Sequence, residues 1–300
     1  MYFLPKYRRG IKNKYRKGMP VFEMITKDLG YVFTGSLNFL KNGFKEKTIV
    51  AFPHYPSRGA TLYKIAKHLN YNLTNRLDAN AEATVFWEYL TFRQEFGPLD
   101  EKAAQGLKVI NLNSRDISKL YVDEAFTSVF GYGTRIDPTT FQGKYVQKND
   151  TNALHDGKVL TQPLKQAEPG FIYQILINNQ HNDTQVEDIR VPIVKEVVPF
   201  VYLKYRDINE RFKNTTVKTL VVPTEKVFNP EEIAKINAFC QKVNLEFGEL
   251  DVLRNKDDGK IYIVDVNNTP QGPPANTSKA DQEYAISVLA KQFSKAFLKS

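Results

Sequence analysis

The 300-residue chain is 42% apolar and 12% aromatic, and its 42 Lys/Arg against 33 Asp/Glu leave a net charge of +9. Such a chain can bury a large core, organised as one multi-lobed unit or two domains. No apolar run approaches the ~18 residues of a membrane span, and a single cysteine excludes an intramolecular disulfide.

Cys240 falls within a helical pattern, which assigns it to the core rather than to catalysis; one cysteine fits a reducing, cytoplasmic setting. The N-terminus runs from Met-Tyr-Phe-Leu-Pro into basic residues without an apolar h-region, so no secretory signal is expected. Residues 6–17 (KYRRGIKNKYRK) hold seven Lys/Arg and no acid. Such an arm is either a solvated chain end or a holder of nucleic acid or an anionic lipid surface. No RNA-recognition signature, zinc spacing or helix-turn-helix pattern accompanies it, so nucleic acid is not an expected partner.

Val21 to Leu40 is mixed in pattern and reads as loop and helix. Thr48-Ile-Val-Ala-Phe52 is a short strand; the loop Pro53-His-Tyr-Pro-Ser-Arg-Gly59 leads into an amphipathic helix with Leu62, Ile65, Ala66 and Leu69 on one face. A loop at the carboxyl end of such a strand is where open α/β sheets bind ligands, which makes His54, Ser57 and Arg58 candidate substrate contacts; ordinary loop chemistry is the alternative. A weak strand at 72–76, a helix over 79–92, a strand over 107–113 and a helix through Phe130 complete a small parallel-sheet lobe.

The turn-rich stretch 131–143 marks a change of composition. Strands at 144–148 and 158–162 flank the polar segment NDTNALHDG, too long for a tight turn and read as a flap. GFIYQILI at 170–177, 186–194 and 197–205 then predict a meander of consecutive antiparallel strands. Asn229-Pro-Glu-Glu starts a helix, with Asn as N-cap, Pro at N1 and acids in the first turn. Its apolar stripe is Ile233, Ile236, Cys240 and Val243. Residues 247–253 and 260–267 form a hairpin, and a helix over about 279–299 ends the chain.

The stretch Lys260-Ile-Tyr-Ile-Val-Asp-Val-Asn-Asn-Thr-Pro carries the chemistry. Strand side chains alternate, so Asp265 and Asn267 reach the same side. Two hard oxygen donors beside a turn suit a magnesium ion that keeps water and phosphate ligands; closing a hairpin is the plainer use of the same residues.

With these elements in this order, residues 119–274 resemble an ATP-grasp enzyme. YVQK places Lys148 as a phosphate-binding lysine, NDTNALHDGK stands for the flap, and FIYQILI matches the strand and hinge that meet adenine. DIRVPIV ends its Asp-x-Arg step in Arg190, VYLKYR supplies Lys204 and Arg206, GELDVL presents Asp251, and VDVNNTP presents the acid-x-Asn metal motif. Lys119, in ISKLYVDEAF, stands where the family has a frequent nucleotide contact. The resemblance implies an α+β/α/β, ATP-grasp architecture. A basic arm and lead-in (1–47) precede an N-terminal parallel α/β substrate lobe (48–117). A nucleotide-binding region (118–300) follows, with a flap lobe (about 130–173) and a C-terminal lobe (about 174–300), two antiparallel-sheet α+β lobes holding the nucleotide between them.

It further implies ATP and Mg2+ as cofactors. Lys119, Lys148, His155, Gln174, Ile175 and Ile177 would contact the nucleotide, and Asp251, Asp265 and Asn267 the metal. Arg190, Arg206 and Lys204 would serve catalysis, and His54, Ser57 and Arg58 the substrate. Two departures from the family stand out: the flap lacks several of its glycines and carries His155 and Asp156, and Asp265 replaces the commoner Glu. The implied reaction is carboxylate activation: an acylphosphate forms with release of ADP, and an amine then displaces phosphate. A sugar or small-molecule kinase and a non-catalytic nucleotide binder are the alternatives; Arg58 or Arg135 near the acceptor would favour the ligase, Asp156 the kinase. The expected partner is a small molecule or glycan bearing a carboxylate, homodimers are allowed, and family members of this kind occur in surface-polysaccharide clusters.

Overall fold

The computed structural model describes residues 19–94, 97–151, 154, 156–213 and 215–298. The basic arm at 6–17 and His155 lie outside them. Helix α1 (Val21–Lys41) resolves the mixed pattern at 21–40 as one long helix. There follow β1 (Thr48–Pro53), α2 (Thr61–His68), β2 (Asn72–Thr74), β3 (Ala83–Trp87), α3 (Gly97–Ala104) and β4 (Val109–Ile110). The four strands make a parallel sheet in the order β2-β1-β3-β4. The helix expected over 79–92 is instead β3. Its residues Ala83-Thr-Val-Phe-Trp87 are all buried, as befits a central parallel strand covered on both faces, where alternation disappears.

Helix α4 (Lys119–Phe130) starts at Ser118, whose hydroxyl accepts from the Tyr121 amide, and stops at Gly131, where φ of 81° suits glycine. Next come β5 (Tyr145–Asn149), β6 (Lys158–Leu160) and β7 (Phe171–Ile175), an antiparallel sheet ordered β6-β5-β7. Then follow β8 (Gln185–Val194), β9 (Glu196–Val197), β10 (Phe200–Asp207), β11 (Lys218–Pro223), α5 (Pro230–Lys242), β12 (Phe247–Arg254), β13 (Ile261–Asn267) and α6 (Lys279–Phe297). The large sheet runs β11-β10-β8-β12-β13, with β9 beside β8. The expected meander is therefore broken: β7 belongs to the small sheet, and β12 returns from far along the chain to pair with β8.

One face of the large sheet is apolar. Ile189, Val191, Val201, Leu250, Val252 and Ile263 pack with Val122 and Phe126 of α4 and with Ile236, Phe239 and Cys240 of α5. Helices α2 and α6 join the parallel sheet to the edge of the large one through Leu62, Ile65, Leu289, Phe293 and Phe247. Two buried polar side chains lock the same junction. Arg93 donates to the Phe86 and Ser114 carbonyls and to Asn268 Oδ1, and Asn111 spans to the Phe247 backbone. Among the described residues no helix is long and apolar enough to cross a membrane.

The α5 cap follows the pattern read from sequence. Asn229 Oδ1 accepts from the Glu232 amide and Glu232 returns a bond to the Asn229 amide, a capping box. Asn229→Ala should lower unfolding free energy by about 1 kcal/mol, read as a shifted urea midpoint at unchanged slope.

Candidate functional site

Alternation along four neighbouring strands gives the second face of the large sheet its chemistry. On β8, Asp188 and Arg190 point one way; on β10, Tyr202, Lys204 and Arg206; on β12, Glu249 and Asp251; on β13, Asp265 and Asn267. The register aligns them in rows. Tyr202, Arg190, Asp251 and Asp265 lie opposite one another across β10-β8-β12-β13, Lys204 faces Asp188, and Glu249 faces Asn267. A bulge inserts Val264 into β13 at Asp251/Val252, so that Asp265 and Asn267 keep this face while Ile261 and Ile263 keep the core.

This face forms one wall of a cleft of about 500 Å³; the small sheet and the start of α4 form the other. Lys119, Lys148, Gln174, Ile175, Ile177, Arg190, Arg206, Asp251, Asp265 and Asn267 all line it. Lys204 is buried beside them, opposite Asp188. The cations of β5, β8 and β10 and the oxygen donors of the late hairpin thus reach a single space. Ile117, Val146, Leu253, Val264 and Val266 give that space apolar walls.

The charges are already committed to one another to different degrees. Arg190 grips Asp251 with two bonds, Nε to Oδ1 at 2.9 Å and Nη2 to Oδ2 at 3.1 Å, while its Nη1 stands 3.6 Å from Glu249. Burial disfavours the Asp251 carboxylate, yet Arg190 and Lys204 outweigh it and hold the carboxyl well below its usual range. Burial likewise opposes the Arg190 charge, and Asp251 and Glu249 overcome it, so this guanidinium stays protonated. Glu249 is buried with no hydrogen bond to either oxygen among the described residues, and burial pushes it up to about 7. Arg206 pairs with Asp188 at 3.1 Å and donates to the Lys213 carbonyl at 2.9 Å.

Unlike Glu249, Asp265 lines the cleft. Its Oδ1 is buried and has no hydrogen-bond partner among the described residues, and burial with the adjacent Asp251 raises the carboxyl to about 6. Across the cleft, burial and the neighbouring Lys119 lower Lys148 to about 8. Lys119 Nζ donates to the Thr151 carbonyl at 3.1 Å, and burial lowers its pKa as well. A carboxylate oxygen without a hydrogen bond, across the cleft from two desolvated ammoniums, describes a site arranged for a further cation and a further anion. Among the described residues no three His, Cys, Asp or Glu side chains gather at metal-binding spacing. Asp265 with the Asn267 amide oxygen, which accepts from the Thr269 amide at 3.0 Å, nonetheless fits magnesium, an ion that takes one or two protein oxygens and keeps water and phosphate for the rest. Asp251 adjoins them with both oxygens on Arg190.

At the far end of the cleft, β7 leaves the small sheet through Gln174 to Ile177. Gln174 Nε2 donates to Thr134 Oγ1 at 2.6 Å while its buried Oε1 has no hydrogen-bond partner among the described residues. Sequence reading missed Arg211 and Phe212 here. They follow β10 on a turn, where no periodicity announces a role. Arg211 donates to the Ile177 carbonyl at 3.1 Å and to Asn179 Oδ1 at 2.5 Å. Phe212 lies so close over Gly157 that a Cβ there would stand 2.7 Å from its ring, which explains glycine at the end of the β5–β6 hairpin loop. Asp156 also lines the cleft, and its Oδ1 accepts from the Asn149 amide at 3.3 Å. Arg135 lies elsewhere, exposed and paired with Glu124 at 3.0 Å.

His54, Ser57 and Arg58 do not enter this cleft. They line a second, larger one of about 1650 Å³ between α1, α2 and the loop after β1, together with Tyr55, Tyr63 and Lys64. Tyr89 and Gln271, neither anticipated from sequence, belong to both and mark where the clefts meet. Ser57 Oγ donates to Gln271 Oε1 at 3.0 Å, and Tyr89 stacks on His54 with centroids 5.7 Å apart.

No protein-family model and no curated protein sequence matches the chain. Solved structures do. The ATP-grasp ligase PsnB, complexed with a phosphomimetic variant of a minimal precursor, Mg and ADP, is 12% identical; the match has a TM-score of 0.51 over 83% of this chain and 98% of that one. D-alanine–D-alanine ligase from Bacillus anthracis, complexed with ATP, is 13% identical, with a TM-score of 0.50 over 83% and 96%. The VanG D-Ala:D-Ser ligase from Enterococcus faecalis is 8% identical, with a TM-score of 0.53 over 85% and 100%. The expectation of a surface-polysaccharide setting gains no support from these three. A parallel lobe, two antiparallel sheets facing each other across a charged cleft and near full-length overlap with these ligases identify the architecture: the chain has the ATP-grasp fold.

Proposed function

We propose that the chain is an ATP- and magnesium-dependent ligase that joins a carboxylate to an amine and releases ADP and phosphate. The observation that carries this reading is the Arg190–Asp251–Asp265 row, with the unpartnered Asp265 oxygen facing Lys148 and Lys119 across the cleft. The apolar walls and the Gln174–Ile177 segment suit adenine, and the lysines suit the phosphates as point charges. Asp265 and Asn267 would hold magnesium, which when bound neutralises phosphate charge. Nucleotide-bound structures of the fold support the use of nucleotide and magnesium, since PsnB is solved with Mg and ADP and the B. anthracis ligase with ATP.

In this reading residues 48–117 form the acceptor lobe and 118–300 hold the nucleotide. Arg58 and His54 in the larger cleft would receive the acceptor carboxylate, with Tyr89 and Gln271 at the passage toward the γ-phosphate. A carboxylate oxygen attacks the γ-phosphorus as the bond to the ADP oxygen breaks; the amine then attacks the acyl carbon and expels phosphate. Lys148 and Lys119 stabilise the charge passing between the two anions, while Arg190, held on Asp251, keeps that carboxylate ionised.

Lys148→Ala should weaken ATP binding about ten- to a hundredfold, measured by titration calorimetry. A second sign follows from the same amine. Burial places its pKa at about 8, so raising pH from about 7 to about 9 removes its charge and should weaken metal-free ATP binding. The variant should lack that slope. Equal affinities and parallel pH profiles would remove Lys148 from the site.

A further inference from the structure

Helix α1 is amphipathic in the reverse sense for a globular protein. At 100° per residue, Phe22, Leu29, Phe33, Leu37 and Leu40 fall within an arc of about 80°, and that arc looks outward. Phe22 is 77% exposed, Phe33 66%, Leu29 60% and Leu40 56%. Beyond the helix Phe44 is 70% exposed as well, its ring edge-on to Phe39. Asn38, Glu23 and Lys27 instead turn toward the body. Asn38 is buried and bonds Asn72 at 3.2 Å, and Glu23 and Lys27 pair at 3.1 Å on the wall of the larger cleft. An apolar stripe five turns long with nothing on it among the described residues is a surface made for a partner.

Charge identifies that partner. Residues 6–17, immediately ahead of the helix in sequence, contribute seven Lys/Arg and no acid. At its other end Lys41, the last helical residue, bonds Asn70 at 3.4 Å and Lys47 lies over the Tyr71 ring, with Lys45 and Glu46 between them. Pairing α1 with a second copy would juxtapose positive ends in either orientation, parallel or antiparallel. An anionic lipid surface satisfies both features together, the stripe entering the headgroup boundary and the basic ends meeting lipid phosphates. Either signal alone gives weak attachment; the two together give a stable one. We propose that the outward face of α1 docks on an anionic membrane surface, with the flanking basic residues supplying the electrostatic attraction. Thr26, Gly30 and Thr34, which line the larger cleft, lie beside the stripe, so docking would hold that cleft's rim at the lipid headgroups. The docking itself stands whether or not the ligase reading does.

The test is flotation of the full chain with vesicles of phosphatidylcholine alone and of phosphatidylcholine with about one-third phosphatidylserine. The expected result is recovery with the anionic vesicles only, weakened by high salt, and reduced about tenfold in the triple variant F22S/L29S/F33S. Because these side chains are exposed, the variant should keep its thermal midpoint and its response to Mg-ATP. Absence of flotation with either vesicle, or binding that the triple variant retains in full, would overturn the proposal. So would a dimer in solution that the triple variant dissociates without any vesicle binding by the parent.

Discussion

Replacing Arg190 by methionine should lower the unfolding free energy by about 3–5 kcal/mol, the cost of leaving buried carboxylates without their cation. The pair it breaks is internal. Arg190 holds Asp251 by two bonds and stands beside Glu249, whose oxygens have no hydrogen bond among the described residues. Methionine keeps most of the volume and removes the charge with its two hydrogen bonds, so the loss reports the ion pair rather than a cavity. Adding Asp251→Asn and Glu249→Gln to the same chain should recover much of the loss, because the uncompensated charges go with them. Urea denaturation of the single and triple variants gives both numbers. An Arg190→Met variant as stable as the parent would mean that the row is solvated and that Arg190 is free to move to a ligand.

The second large effect concerns the metal. Thermal stabilisation by ATP should increase several-fold in Tm shift when magnesium is added, because both ligands then bind the native state only. Asp265→Asn should abolish that increment and leave most of the metal-free shift from Lys148 and Lys119. The substitution is nearly isosteric, and Asp265 Oδ1 has no hydrogen-bond partner among the described residues, so it removes a ligand charge without costing that oxygen a hydrogen bond. A variant that still gains the magnesium-dependent shift would place the ion elsewhere. Asn267→Ala should show a smaller loss of the same kind, since a neutral amide oxygen contributes less than a carboxylate.

Much of the site was legible because strand alternation is a local rule. Asp265-Val-Asn267 must present its two oxygen donors together, and the Asp188-Ile-Arg190 and Lys204-Tyr-Arg206 steps behave the same way. What alternation cannot show is register. That Arg190 meets Asp251, 61 positions later, depends on β12 returning to pair with β8. The sequence therefore offered Arg190 as a catalytic cation and Asp251 as a metal ligand without showing that the two pair with each other. Arg211 and Phe212 escaped for a related reason, since turn residues carry no period. Strand β3 escaped because a strand covered on both faces shows a plain apolar run, easily read as a helix. The separation of His54, Ser57 and Arg58 into a second cleft, joined to the first by Tyr89 and Gln271, required coordinates.

Hydrogen exchange of the full chain, with and without a non-hydrolysable Mg-ATP analogue, tests the central claim most directly, since ligand contact slows local opening. The account predicts protection concentrated at residues 145–151, 171–177, 185–190 and 261–267, the segments that face one another across the smaller cleft. Protection confined to the parallel lobe at 48–87, with those four segments unchanged, would contradict it.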